Sequence, residues 1–136
     1  MCSYVNDLQL GDFKDKFDCD WICTDMENDV FMEDLSKFKD NSFDLVFSCH
    51  AFEHCENPLK ALREMKRVSK KFIFIITPHH CWHHVLGADN DHIFCFTRYQ
   101  MTRLLFYIGL KYIVYTQELN LNPQFWSLIS IGKKDE

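Results

Sequence analysis

Histidine and carboxylate side chains stand at spacings that could support chemistry in three parts of the chain. In the first, His50-Ala51-Phe52-Glu53-His54 puts two imidazoles and a carboxylate within one short stretch. On a helix, this pattern turns both histidines to one face as zinc ligands, with the glutamate as base and a carboxylate ligand from far downstream. Glu118 is the best downstream residue, but it stands beside an expected strand and turn. An expected strand also ends directly at His50, which disfavours a helical zinc hydrolase. In the second part, His79-His80-Cys81-Trp82-His83-His84 pairs His79 with His83 and His80 with His84 one turn apart if helical. That suits a transition metal, with His92 as a further ligand. The preferred alternative is a histidine-rich loop facing a substrate, and no metal is expected. Any of these imidazoles could serve as a base near pH 7. The third part comprises Asp25 and Asp34, each just beyond a short apolar run.

The elements that position these groups follow from apolar periodicity. Phe43, Leu45, Val46 and Phe47 form a run of strand length after the turn-type residues Asp40-Asn41-Ser42, and it stops at Ser48-Cys49-His50. Beyond Asn57-Pro58, Leu59, Leu62, Met65 and Val68 recur at helical spacing, which predicts a helix from about Leu59 to Ser69. A buried strand that opens onto polar groups before a helix is where open α/β sheets hold ligands. Trp21-Ile22-Cys23, Val30-Phe31-Met32 and Phe72 to Thr77 predict further strands, ending at Thr24-Asp25, Glu33-Asp34 and Pro78. Met101, Leu104, Leu105 and Ile108 share one face of a helix expected from Arg98 to Ile108 and stopped by Gly109. Tyr112 to Tyr115 and Phe125 to Ile131 read as two closing strands, near enough in sequence to pair antiparallel. Strands alternating with helices predict an α/β fold with a largely parallel, helix-covered sheet.

Bulk properties narrow the function classes. A chain of 136 residues suits a single domain over 1–136, and 47% apolar residues with 13 Phe give it a real core. The net charge of −5 and scattered basic residues argue against a nucleic-acid partner. Seven cysteines without a regular framework, and a polar start, imply reduced thiols in a cytoplasmic protein. The longest apolar run, Phe72 to Ile76, is far too short to span a bilayer, so no membrane association is expected. A small molecule is the expected partner, and a homo-oligomer stays open.

Asp40-Asn41-Ser42-Phe43-Asp44-Leu45-Val46-Phe47-Ser48-Cys49-His50-Ala51-Phe52-Glu53-His54, followed by Asn57-Pro58-Leu59-Lys60-Ala61-Leu62-Arg63-Glu64-Met65-Lys66-Arg67-Val68, resembles the class I S-adenosylmethionine-dependent methyltransferases of the type 11 branch. Asp91-His92-Ile93-Phe94-Cys95-Phe96-Thr97 is similar to the segment ahead of that branch's last helix. The resemblance runs from about Asp25 onward. It implies a Rossmann-like sheet, mostly parallel with a C-terminal antiparallel hairpin, with truncation at the N-terminus left open. It also implies S-adenosylmethionine as cofactor and a small-molecule methyl acceptor. Asp25 would bind both ribose hydroxyls, Met26 would lie against adenine, and Asp34 would accept from the adenine amine while Leu35 offers a backbone contact to the ring. Backbone at Ser48 and Cys49 would line the methionine side, and His50 and His79 would be the candidate bases. The chain departs from the pattern in its glycine-rich loop: it has four glycines and no Gly-x-Gly-x-Gly, only Leu8-Gln9-Leu10-Gly11-Asp12, with Gly11 as the remaining cradle residue. A non-catalytic binding or scaffold protein on the same fold, and a metal-binding protein built on the cluster from His79 to His84, are the alternatives.

Overall fold

The structure, a computed structural model, describes residues 2–3, 20, 22–24, 31–78, 92–118 and 126–135. Its strands are β1 (Cys2–Ser3), β2 (Cys23–Thr24), β3 (Phe43–Cys49), β4 (Ser69–Pro78), β5 (Lys111–Glu118) and β6 (Trp126–Lys133), and its helices are α1 (Pro58–Val68) and α2 (Arg98–Tyr107). They form one sheet in the order β2-β1-β3-β4-β6-β5. The pairs β1–β2, β1–β3 and β3–β4 are parallel, whereas β6 runs antiparallel to both β4 and β5. The expected hairpin is therefore present.

Local chemistry explains the helices. Asn57 caps α1 by accepting from the Lys60 N–H at 2.9 Å, and Pro58 enters the first turn, where no N–H is needed. Thr97 and Gln100 cap the start of α2 reciprocally: the Thr97 hydroxyl accepts from the Gln100 N–H, and the Gln100 side chain accepts from the Thr97 N–H. At the far end of α2, Gly109 has φ +71°, the left-handed region that glycine enters without strain. The Leu110 N–H then reaches the Leu105 carbonyl and the Gly109 N–H the Phe106 carbonyl, which closes the helix.

Both helices pack on one face of the sheet. Ala61, Leu62, Met65 and Val68 of α1 and Met101 and Leu105 of α2 meet Val46, Ile73, Ile75, Val114 and Leu128 in one core. Burying each of the larger side chains contributes about 1.5–3 kcal/mol. On the opposite face Phe47 and Cys49 gather with Phe74 and Ile76.

Two expectations need correction, and one strand has no apolar run behind it. The run Val30-Phe31-Met32 is no strand in its described part: Met32 and Glu33 form a turn closed by the Asp34 N–H to the Phe31 carbonyl at 3.0 Å. A run this short loses its ladder once a local hydrogen bond competes for it. The strand expected at Trp21-Ile22-Cys23 lies at Cys23–Thr24, with Ile22 outside it and exposed. Finally, the polar start of the chain contributes β1, which pairs with both β2 and β3.

Candidate functional site

Parallel pairing brings several strand ends to one edge. Ser3 is in register with Thr24 on one side and with Ser48 on the other, and Cys49 is in register with Ile76. The carboxyl ends of β2, β1, β3 and β4 thus share a ledge, the place where open α/β sheets bind ligands.

Beyond β3 the chain turns sharply. His50 has φ +48°, and its N–H donates to the Ile76 carbonyl at 2.9 Å, so the turn is tied to the neighbouring strand. Ala51 is buried, and Phe52–His54 form one 3₁₀ turn. Phe52 fills the core and packs against Phe96, its ring tilted to that of Phe96 with centroids 5.1 Å apart. The Glu53 carbonyl accepts from both the Ile93 and Phe94 N–H groups at 3.0 Å, which clasps the 92–94 segment against the turn. It is this main-chain contact of Glu53 that gives the loop its shape. The short 3₁₀ turn and the left-handed His50 also remove the helix that a His-x-x-Glu-His zinc hydrolase needs, and Glu118 stands in β5.

Ser48 and Cys49 are buried in β3. The Ser48 hydroxyl points at the Met32 sulfur, 3.6 Å away, which brings the 31–35 segment beside the ledge. Burial, and then the Glu53 charge, push the Cys49 thiol up to about 11. Asp34 is exposed in that segment, and its carboxylate accepts from the Ser36 side chain and then from the Ser36 N–H at 3.1 Å, which hold its pKa below the ordinary value. Leu35 is buried in the core, and its N–H donates to Glu64 Oε2 at 3.0 Å. The amide expected to contact the ring is thus engaged by Glu64 in this structure. Gly11, Asp25, Met26 and His79, with the whole cluster to His84, lie outside the described residues.

A second concavity lies at the opposite edge of the sheet, beside the carboxyl ends of both helices, and includes Arg63, Lys66, Arg67 and Lys134. Three of these cations are already committed. The Lys66 ammonium donates to the Ile108 carbonyl, Lys134 to the Lys66 and Ser69 carbonyls, and Arg67 to the Leu35 and Phe38 carbonyls. They satisfy chain ends, and the ledge is the better ligand site.

From sequence, His92 is a further ligand to the cluster from His79 to His84 and part of a segment similar to a known family, not a neighbour of Glu53. Its side chain meets Glu53 and His54, with the His92 and His54 ring centroids 4.7 Å apart. Sequence separation hides such a contact.

A mostly parallel sheet with a reversed last strand and a polar ledge at its carboxyl edge is the architecture of the class I S-adenosylmethionine-dependent methyltransferases. The family model described as "Methyltransferase domain" matches residues 6–77, and the chain belongs to that family. Solved structures agree on the fold. A SAM-dependent methyltransferase from Archaeoglobus fulgidus superposes with a TM-score of 0.65 at 14% identity, over 97% of this chain and 74% of that one. The protein bound to the Trm112 methyltransferase activator in a Haloferax volcanii complex gives 0.66 at 15% identity, over 96% and 70%. A SAM-dependent methyltransferase from Thermotoga maritima, described as a possible histamine N-methyltransferase, gives 0.62 at 14% identity, over 84% and 64%. The chain therefore spans less than two thirds of that last protein's length. No curated protein matches the chain.

Proposed function

We propose that the chain binds S-adenosylmethionine along the shared ledge and transfers its methyl group to a small-molecule acceptor. The observation that carries this reading is the common register of the strand ends at Thr24, Ser48 and Ile76, flanked by the exposed Asp34 carboxylate. When bound, the cofactor supplies a methyl group already activated by its sulfonium. The protein's own residues bind and orient. Asp25, directly after β2, is assigned the ribose hydroxyls, and Met26 the adenine face. Asp34, with its second carboxylate oxygen, is assigned the adenine amine. Gly11 and the backbone of Ser48 and Cys49 are assigned the methionine portion. His50, half-exposed at the strand end, and His79 are assigned the proton that the acceptor releases. Leu35 is assigned a main-chain contact to the adenine ring, for which its amide must exchange its bond to Glu64.

Calorimetric titration with S-adenosylmethionine and with S-adenosylhomocysteine tests this reading; absence of heat at millimolar ligand rejects it. Replacing Asp34 with Ala is expected to weaken binding about tenfold, the loss of one hydrogen bond to a charged acceptor. Unchanged affinity removes Asp34 from the site.

A second reading is favoured by one observation. Leu45 and Phe72, paired across β3 and β4, are 40% and 39% exposed on the sheet face away from α1 and α2. A methyltransferase-like chain that needs a partner subunit would present such a surface. Gel filtration combined with a methyl-transfer screen separates the two, because a stable multimer without cofactor affinity favours the partner-dependent form.

A further inference from the structure

The methyl-transfer reading leaves the Glu53 carboxylate without a task, although it is the most deeply buried charge-bearing group at the ledge. Its side chain is 2% exposed, and among the described residues neither Oε1 nor Oε2 has a hydrogen-bond partner. An ionised carboxylate removed from water without partners costs several kcal/mol. Here it is met by imidazoles instead. His50 Nδ1 lies 3.6 Å from Oε1, and His54 Nε2 and His92 Nε2 each lie 4.0 Å from it. These separations exceed hydrogen-bond length, and they suit ligands arranged around a cation.

We propose that Glu53, His54 and His92 form a site for a divalent first-row transition ion of the zinc type. Their donor atoms all lie within 4.8 Å of one another, so a single point lies within about 2.8 Å of all three. A contraction of less than about 1 Å brings each donor to zinc-bond length. The frame that carries them is fixed. The Glu53 carbonyl holds the Ile93 and Phe94 amides, Phe94 stacks on Phe96, and Phe52 packs against Phe96. One carboxylate and two imidazoles select a borderline ion over calcium or magnesium, which take oxygen ligands. Three protein ligands leave a further position open, as in zinc centres that bind a water or another molecule's oxygen.

The arrangement differs from the helical His-x-x-Glu-His pattern. Glu53 acts as a ligand, His50 stands at a left-handed strand end, and the third donor arrives from the segment ahead of α2. None of its three donors comes from the histidines between 79 and 84.

The test uses the full chain, purified without an affinity tag and stripped with chelator. Calorimetry with Zn²⁺ and absorption spectroscopy with Co²⁺ are then run on the native chain and on variants. The expected result is one equivalent bound, with His92→Ala and Glu53→Gln each weakening affinity about tenfold or more. A chain with His79, His80, His83 and His84 all replaced by Ala should keep the site. Co²⁺ should show ligand-field bands without a thiolate-to-metal charge-transfer band. No uptake by the native chain overturns the proposal. So does uptake that survives both His92→Ala and Glu53→Gln, or that vanishes when the four other histidines are removed. Circular dichroism monitors folding; should Glu53→Gln unfold, the half-buried His54→Ala and His92→Ala variants decide. The cofactor titration is independent, so either reading can fail alone.

Discussion

At the scale of single residues, burial decides which groups are reactive. The Cys55 thiol is pushed up to about 12, first by burial and then by the Glu33 charge, and it donates to the Phe52 carbonyl at 2.9 Å. Cys49 is held near 11. Since the thiolate is the nucleophile, both should resist alkylation by iodoacetamide at pH 8 in the folded chain and react once it is unfolded. Mass-spectrometric mapping checks this, and labelling of either residue in the native state contradicts it. Phe52, the first residue of the 3₁₀ turn, is completely buried and packs against Phe96, so Phe52→Ala is expected to cost about 3–5 kcal/mol in urea unfolding. The residues Ser48 to His54 were legible as a candidate site because an apolar strand breaks there onto polar groups. What was not legible is which side chains converge. Neither the engagement of the Leu35 amide by Glu64 nor the approach of His92 to Glu53 leaves a local signature.

At the scale of elements, Arg67 and Glu64 of α1 tie the 35–40 segment to that helix. Arg67 donates to Glu64, Asp40 and the Leu35 and Phe38 carbonyls, while Glu64 also accepts the Leu35 N–H. Replacing Arg67 with Met leaves those carbonyls and Glu64 unmatched and is expected to cost about 2–3 kcal/mol. The pH dependence has a definite sign. Arg67, and to a lesser extent the Leu35 amide, hold the Glu64 carboxyl below its usual range. Its contribution to stability is therefore complete above the ordinary carboxylate pKa and is lost as pH falls through the lower folded value. The stability gap between the native chain and Glu64→Gln should be widest near neutrality and close in acid; a gap constant with pH contradicts this. Gly109→Ala places a side chain at φ +71° and is expected to cost about 1 kcal/mol. Helices were the most legible elements, because Asn57-Pro58 and Gly109 mark their limits chemically. Strands were less so: β4 begins at Ser69 directly after α1, where Lys70-Lys71 conceal it, and two-residue strands such as β1 carry no period to read.

At the scale of the whole molecule, the sheet carries both described helices on one face and ends at β5. This edge strand presents Ile113 at 64% exposure. Long apolar edges promote intermolecular pairing. Ile113→Lys should therefore reduce light scattering on heating while leaving the folding free energy within about 0.5 kcal/mol; undiminished scattering contradicts it. Alternating strands and helices made the α/β class legible, but lateral order was not, since nothing local says that β6 enters between β4 and β5. That placement has a consequence during synthesis. As the polypeptide leaves the ribosome, β5 emerges before β6, the strand that joins it to the rest of the sheet. Until Trp126–Lys133 has cleared the exit tunnel, β4 keeps a bare flank and β5 has no seat. A message cut short ahead of that stretch would therefore yield a product with two open flanks, suited to capture by chaperones or proteases.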